Sequence, residues 1–280
     1  MGFYETEKLS DRLYKIVDLA SKKSFPIQNY LVLGDVKAAL IDSGLGIGNI
    51  RQVVEAITSL PVLVLHTHGH PDHIGGDPLF EENYLSPLEN VGTLEERKNA
   101  NEDKKRLIEG FAGNNPELVK TLVESFVPAA EVSYKPVHDG DAFDLGEVVL
   151  EAVAIPGHTQ GSLAYVDQKG RFAFTGDGIA DIHWFDGDRY FNTVESFYET
   201  LRHFEDHARN ARQIYAAHIS KPFELSLVRH LQTAAQNILN GSRDPVENAD
   251  YLFLKHGELH VHRVENVKIY YKQENVRKAG

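Results

Sequence analysis

A four-residue apolar run, Val62–Leu65, ends directly in His66-Thr67-His68-Gly69-His70-Pro71-Asp72-His73, and this junction narrows the fold more than any other part of the chain. A short continuous run of valine and leucine reads as a strand buried on both faces. Four histidines and an aspartate then fall within eight residues. Imidazole and carboxylate are the donors that suit zinc, iron and manganese. His68 and His70 lie two apart, so in extended backbone they face the same side. Asp72 and His73 follow, and a turn at Pro71 points them at a neighbouring position. Gly75 and Gly76 permit close backbone approach. A solvated histidine cluster is the plainer alternative, because the chain holds 14 histidines. A buried strand leading straight into the cluster argues for a metal site instead.

The surrounding pattern is α/β. Leu13–Val17, Tyr30–Leu33 and Ala38–Ile41 read as strands, with Gly34-Asp35 as a turn. Gly48–Ser59 has helical spacing and is stopped by Pro61. Residues 81–134 are charged and mostly helical, with helices expected over Leu94–Phe111 and Pro116–Phe126. Strands return at Val148–Ile155, Leu163–Asp167 and Phe172–Thr175. A helix over Thr193–Arg209, a short strand Ile214–Ala217, a helix over Glu224–Asn240 and a hairpin within Tyr251–Tyr271 complete the chain. One α/β domain over 1–280, with a helical insertion at 81–134, is the simplest division.

Composition excludes several classes. Hydrophobic residues make up 42 % and charged residues 25 % of 280, which suffices for a sizeable core. The formal net charge of −12 disfavours a nucleic-acid partner. With no cysteine, disulfides and thiolate metal sites are excluded. The first twenty residues lack the apolar run of a signal peptide, and no run approaches a membrane span. The expectation is a cytoplasmic protein acting on a small-molecule substrate without a membrane, with a homodimer left open.

His-x-His-x-Asp-His after a hydrophobic strand resembles the metallo-β-lactamase superfamily. The resemblance continues in Ile41-Asp42-Ser43-Gly44, Pro156-Gly157-His158-Thr159-Gln160-Gly161-Ser162, Phe174-Thr175-Gly176-Asp177 and Ala216-Ala217-His218, in the family's order. It implies a four-layer αββα sandwich and two divalent metal ions, zinc first, with iron or manganese as alternatives. By position, His68, His70 and His158 would hold the first ion, Asp72, His73 and His218 the second, and Asp177 would bridge them. Asp72 would also orient the attacking hydroxide, and Asp42 would support a ligand histidine or merely end a strand. Thr67 and Thr159 would support ligands or cap backbone. His66, one residue before the motif, reads as a structural histidine.

The resemblance implies a hydrolase that uses a metal-bridged hydroxide on a small ester, lactone, thioester or related acyl substrate. Alternatives are a phosphodiesterase, a mononuclear iron persulfide dioxygenase held by His70, His158 and Asp177, and a non-catalytic binding protein. Fold alone does not choose among them. Ala180 stands where lactonases of the family commonly carry tyrosine, and the glutathione-binding set of glyoxalase II is not found. Ile179–Asn192, with His183, Trp184, Phe185, Tyr190 and Phe191, offers a substrate wall or a packed loop. In that segment His183 or Tyr190 would be the proton donor to a leaving group.

Overall fold

In the computed structural model, which describes residues 2–18, 26–92, 105, 108–109, 115–169, 171–187, 193–250 and 255–278, the chain divides into two units. One comprises Met1–Val137 with Ala142–Leu150, the other His138–Asp141 with Glu151–Gly280.

The first unit is built on a sheet whose strands lie in chain order: β1 (Tyr4–Ser10), β2 (Leu13–Asp18), β3 (Gln28–Leu33), β4 (Ala38–Ile41), β5 (Val62–Leu65), β6 (Asn83–Leu85) and β7 (Tyr134–Pro136). The first four pair antiparallel, and β4 to β7 pair parallel. β1 escapes sequence reading because most of its residues are exposed, so no apolar alternation marks it. β6 is too short to show a period. Helix α1 (Ile50–Ile57) connects β4 to β5, and Asn49 caps it by accepting from the Gln52 N–H at 3.1 Å. Its buried Ile50 and Val54 pack with Ile16, Leu31, Leu40 and Val64, each such side chain contributing about 1.5–3 kcal/mol by leaving water. The expected helix Pro116–Phe126 runs Pro116–Glu124 (α2), capped by Asn115. Most of Leu94–Phe111 lies outside the described residues. The unit also holds β8 (Ala142–Asp144).

In the second unit, β9 (Val149–Ala154, entering from the first), β10 (Leu163–Asp167), β11 (Ala173–Gly176) and β13 (Ile214–Ala216) form a sheet in the order β13-β11-β10-β9. A further sheet has the order β12-β16-β15-β14, from β12 (Ile182–Phe185), β14 (Val246–Asn248), β15 (Glu258–Val264) and β16 (Val267–Tyr271). The expected C-terminal hairpin is β15–β16, and residues 251–254 of that expectation lie outside the described residues. Helices α3 (Val194–Ala208) and α4 (Leu225–Leu239) bury Phe197, Leu201 and Phe204 against Val228, Leu231 and Ala235. Thr193 caps α3, and Gly241, at φ +84, ends the chain's helical course after α4. No helix among the described residues is long and apolar enough to cross a membrane.

Candidate functional site

Parallel register assembles the first cluster. β4 and β5 pair Ile41 with Leu65, so Asp42 and His66 emerge together at one end of the sheet. Past β5 the chain is no longer a strand. The His73 N–H donates to the His70 carbonyl at 2.9 Å, closing a turn with Pro71 second. The returning segment docks on the end of β4 through Ser43 N–H to the His73 carbonyl and Gly75 N–H to the Gly44 carbonyl, both 2.8 Å. A Cβ at Gly75 would stand 2.3 Å from the Leu45 backbone, so only glycine fits there.

This fold-back gathers the expected ligands of the first unit. The ring centroids of His68 lie 4.6 Å from His70 and 4.0 Å from His73. His73 Nε2 lies 3.7 Å from Asp72 Oδ2. His68 and His70 therefore meet through a loop, not through the strand alternation expected from spacing.

Asp42 organises the cluster from beneath. Its Oδ1 accepts from the Thr67 N–H and its Oδ2 from the Thr67 hydroxyl, each at 2.8 Å, and His73 Nδ1 lies 2.8 Å from Oδ2. Thr67 Oγ1, its proton given to Asp42, is 3.1 Å from His68 Nδ1 and can accept from it. Both imidazoles are thereby set in the tautomer that leaves Nε2 unprotonated. Burial alone would raise the Asp42 carboxyl pKa, but His73 and His66 outweigh it and hold it below the usual carboxylate range. Asp42 also has φ +60, a left-handed conformation that aspartate tolerates better than most residues. Thr67 thus holds the His68 ring as well as tying its own N–H to Asp42.

His66 is fully buried, with Nε2 3.1 Å from Asp77 Oδ1 and Nδ1 3.8 Å from Asp42 Oδ1. Burial alone would lower its pKa, yet Asp77 and Asp42 reverse that and raise it to about 10. Asp77 is itself held by the Ser43 hydroxyl at 2.6 Å and the Tyr134 hydroxyl at 2.5 Å. His66 is structural, as expected. Asp77 escapes sequence reading because nothing local to it marks a partner eleven positions back.

The second unit carries its own cluster. β11 and β13 run parallel with Gly176 opposite Ala216, which delivers Asp177 and His218 side by side. His218 Nε2 lies 3.3 Å from Asp177 Oδ1, and His158 Nε2 lies 3.5 Å from Asp177 Oδ2. One carboxylate therefore offers an oxygen to each of two imidazoles. The loop bearing His158 is closed by Thr159, whose hydroxyl and N–H contact Ser162 Oγ at 2.7 and 3.1 Å. Thr159 thus serves the backbone. Both clusters offer nitrogen and oxygen donors only, a set that suits zinc-like divalent ions, and each of their residues belongs to a group that could hold a metal ion.

The aromatic segment after Asp177 forms β12 and packs. His183 is buried with its ring 4.4 Å from Phe197, and its Nε2 accepts from the Ala180 N–H at 3.0 Å. Burial pushes its pKa down to about 4, against smaller upward pulls from Ala180 and Asp177. It is therefore a neutral core residue, not an imidazolium ready to protonate a leaving group. Trp184 stacks on His256 and Tyr270 and donates to the Ala249 carbonyl at 3.1 Å. Tyr190 and Phe191 lie outside the described residues.

The depressed pKa of His183 has a signed consequence. The unfolded chain takes up this proton near pH 6.5, the native chain only near 4, so stability falls as pH drops through that window. The loss expected from this group is about 3 kcal/mol. Denaturant unfolding of metal-free protein from pH 7 to 4 should show it, and His183→Phe should lack this component. Identical pH slopes in the two proteins would contradict the buried neutral base.

Comparison with known proteins agrees with this geometry. A model of the metallo-beta-lactamase superfamily matches residues 25–224. The acyl-coenzyme A thioesterase MBLAC2 of Gallus gallus is 28 % identical over 176 residues, 59 % of this chain and 62 % of that protein. The hydroxyacylglutathione hydrolase GloC of Haemophilus influenzae is 29 % identical over 151 residues, 52 % of this chain and 64 % of that protein. The matched part is thus less than two-thirds of either relative's length. A solved metallo-beta-lactamase family protein of Thermus thermophilus superposes with a TM-score of 0.55 at 22 % identity, covering 83 % of this chain and 82 % of that one. This is a likeness of fold: mixed α/β sheets with flanking helices. Since the family match takes in well over half of the 280 residues and every histidine and aspartate of the two clusters, the chain belongs to the metallo-beta-lactamase superfamily.

Proposed function

We propose that this protein is a metal-dependent hydrolase of small acyl substrates, with thioesters as the leading class. The observation that carries the metal dependence is the common anchoring of His68 and His73 through Asp42, which leaves two Nε2 atoms unprotonated and suited to a metal ion. In this reading His68, His70 and His158 would hold one divalent ion and Asp72, His73 and His218 a second, and Asp177 would contribute to both. Such ions, zinc first, supply Lewis acidity to an acyl oxygen and bring the pKa of water toward about 7.

The chain's own groups do the rest. Asp72 accepts a hydrogen bond from the attacking water and orients it. Asp42 and Thr67 hold the ligand tautomers, and Asp177 keeps His158 and His218 turned toward one point. Support for an acyl substrate comes from the two relatives, one named for acyl-coenzyme A thioester hydrolysis and one for hydroxyacylglutathione hydrolysis. The chain's negative charge weighs against nuclease work.

The test pairs elemental analysis of protein purified without added metal with assays on acyl-coenzyme A thioesters and S-acylglutathiones. About two zinc-like ions per chain and thioester cleavage abolished by chelator are expected. A single iron unaffected by His218→Ala, with no hydrolysis, would overturn the reading in favour of oxidative chemistry.

A further inference from the structure

Strands β5 and β6 are parallel, with Leu65 opposite Tyr84, so the chain leaves both at the same end of the sheet. β5 runs into the histidine segment. β6 runs into a turn in which the Glu89 N–H donates to the Ser86 carbonyl at 3.1 Å and the Leu88 N–H to Ser86 Oγ at 3.3 Å. That turn lays the half-buried Glu89 on the histidine segment, where the Gly69 N–H donates to Glu89 Oε2 at 2.8 Å. Gly69 is the residue between His68 and His70.

The approach depends on the missing side chain. A Cβ at Gly69 would stand 2.9 Å from Glu89 Oε2, 3.2 Å from Val91 Cγ1 and 3.3 Å from Glu89 Cβ. A hydrogen bond to an ionised carboxylate is roughly twice as strong as a neutral one. It falls on the His68–Gly69 peptide, one of the two that join the imidazole-bearing residues. Asp42 and Thr67 hold His68 by its ring, while Glu89 holds the backbone between the two rings.

We propose that Glu89 is a positioning residue for the His68–His70 pair, fixing the Gly69 peptide so that both imidazoles present their ligand nitrogens to one ion. It lies 21 positions from His68 and belongs to no metal-ligand motif. The inference rests on the metal-dependent reading above.

The test titrates metal-free protein with Co2+ and follows the visible d–d absorption, a readout independent of turnover. Wild type should bind two ions. Glu89→Ala and Gly69→Ala should each weaken the His68–His70 ion about 10–100-fold, the usual cost of losing an outer support, and shift its absorption band. The Asp72–His73 ion should change far less. Glu89→Gln, which keeps an acceptor oxygen, should recover most of the affinity. The double variant Glu89→Ala/Gly69→Ala should be no weaker than either single one, because both remove the same contact. Wild-type affinity and an unshifted band in Glu89→Ala would overturn the inference alone, as would additive losses in the double variant or a Gln variant as weak as the Ala one. If Glu89→Ala does not fold, Glu89→Gln and Gly69→Ala decide between these outcomes. Wild type that binds no Co2+ would overturn the metal reading and this inference with it.

Discussion

Replacing His66 with alanine should lower the folding stability of the metal-free protein by about 3–5 kcal/mol, the cost of breaking a buried ion pair by removing one partner. The side chain is wholly buried between Asp77 and Asp42, at 3.1 and 3.8 Å. Without it, two buried carboxylates face each other with no cation between them. That figure is a large share of the roughly 5–15 kcal/mol that holds a typical domain together. Exposed pairs such as Arg277–Glu195 should cost at most about 1 kcal/mol when broken. Urea unfolding of His66→Ala beside Arg277→Ala measures both. A second variant, His66→Leu with Asp77→Asn, removes one buried charge from each side and should be less damaged than His66→Ala. A loss under about 1 kcal/mol in His66→Ala, far below the cost of a broken buried pair, would show that the carboxylates are not held by this imidazole.

Asp177→Ala should leave the fold standing and remove catalysis. Asp177 sits past the end of β11, partly exposed, and its two oxygens lie 3.5 and 3.3 Å from His158 and His218. In the proposed centre it is the ligand common to both ions. Its loss should release at least one ion per chain and reduce kcat/KM on thioesters about a thousandfold. The corresponding barrier, about 4 kcal/mol, is the size of the charge stabilisation that metal ions bring to a developing oxyanion. Asp177→Asn keeps the shape without the charge and should fall between wild type and alanine. Full metal content and full activity in Asp177→Ala would remove the shared-ligand role.

Some elements are legible because their chemistry is local. Val62–Leu65 reads as a strand buried on both faces, and it is one. Helical spacing over Gly48–Ser59 and Thr193–Arg209 places two helices, and they run Ile50–Ile57 and Val194–Ala208. The histidine segment concentrates donors so densely that it points to metal before His158, Asp177 and His218 join it. Pro71 in the turn and Gly75 at the close approach both follow from residue type.

Other features have no local mark. β1 is an exposed strand without apolar alternation, and its identity comes from pairing with β2. His183 and Trp184 read equally as a substrate wall or a packed loop, because all the sequence shows is that aromatics follow Asp177. Their fate is set by β12 joining β16, which sends His183 against Phe197.

The sequence by itself determined which atoms can bind metal, because donor type is a property of each side chain. It also marked several of the strands and helices, because turn and burial preferences act over a few residues. Only the tertiary structure decided what holds those donors. The contacts Asp42–His73, His66–Asp77 and Glu89–Gly69 bridge 31, 11 and 20 positions. They exist because parallel register brings the ends of β4, β5 and β6 together. Register is chosen by the packing of whole faces, a sum over many side chains that no single residue records.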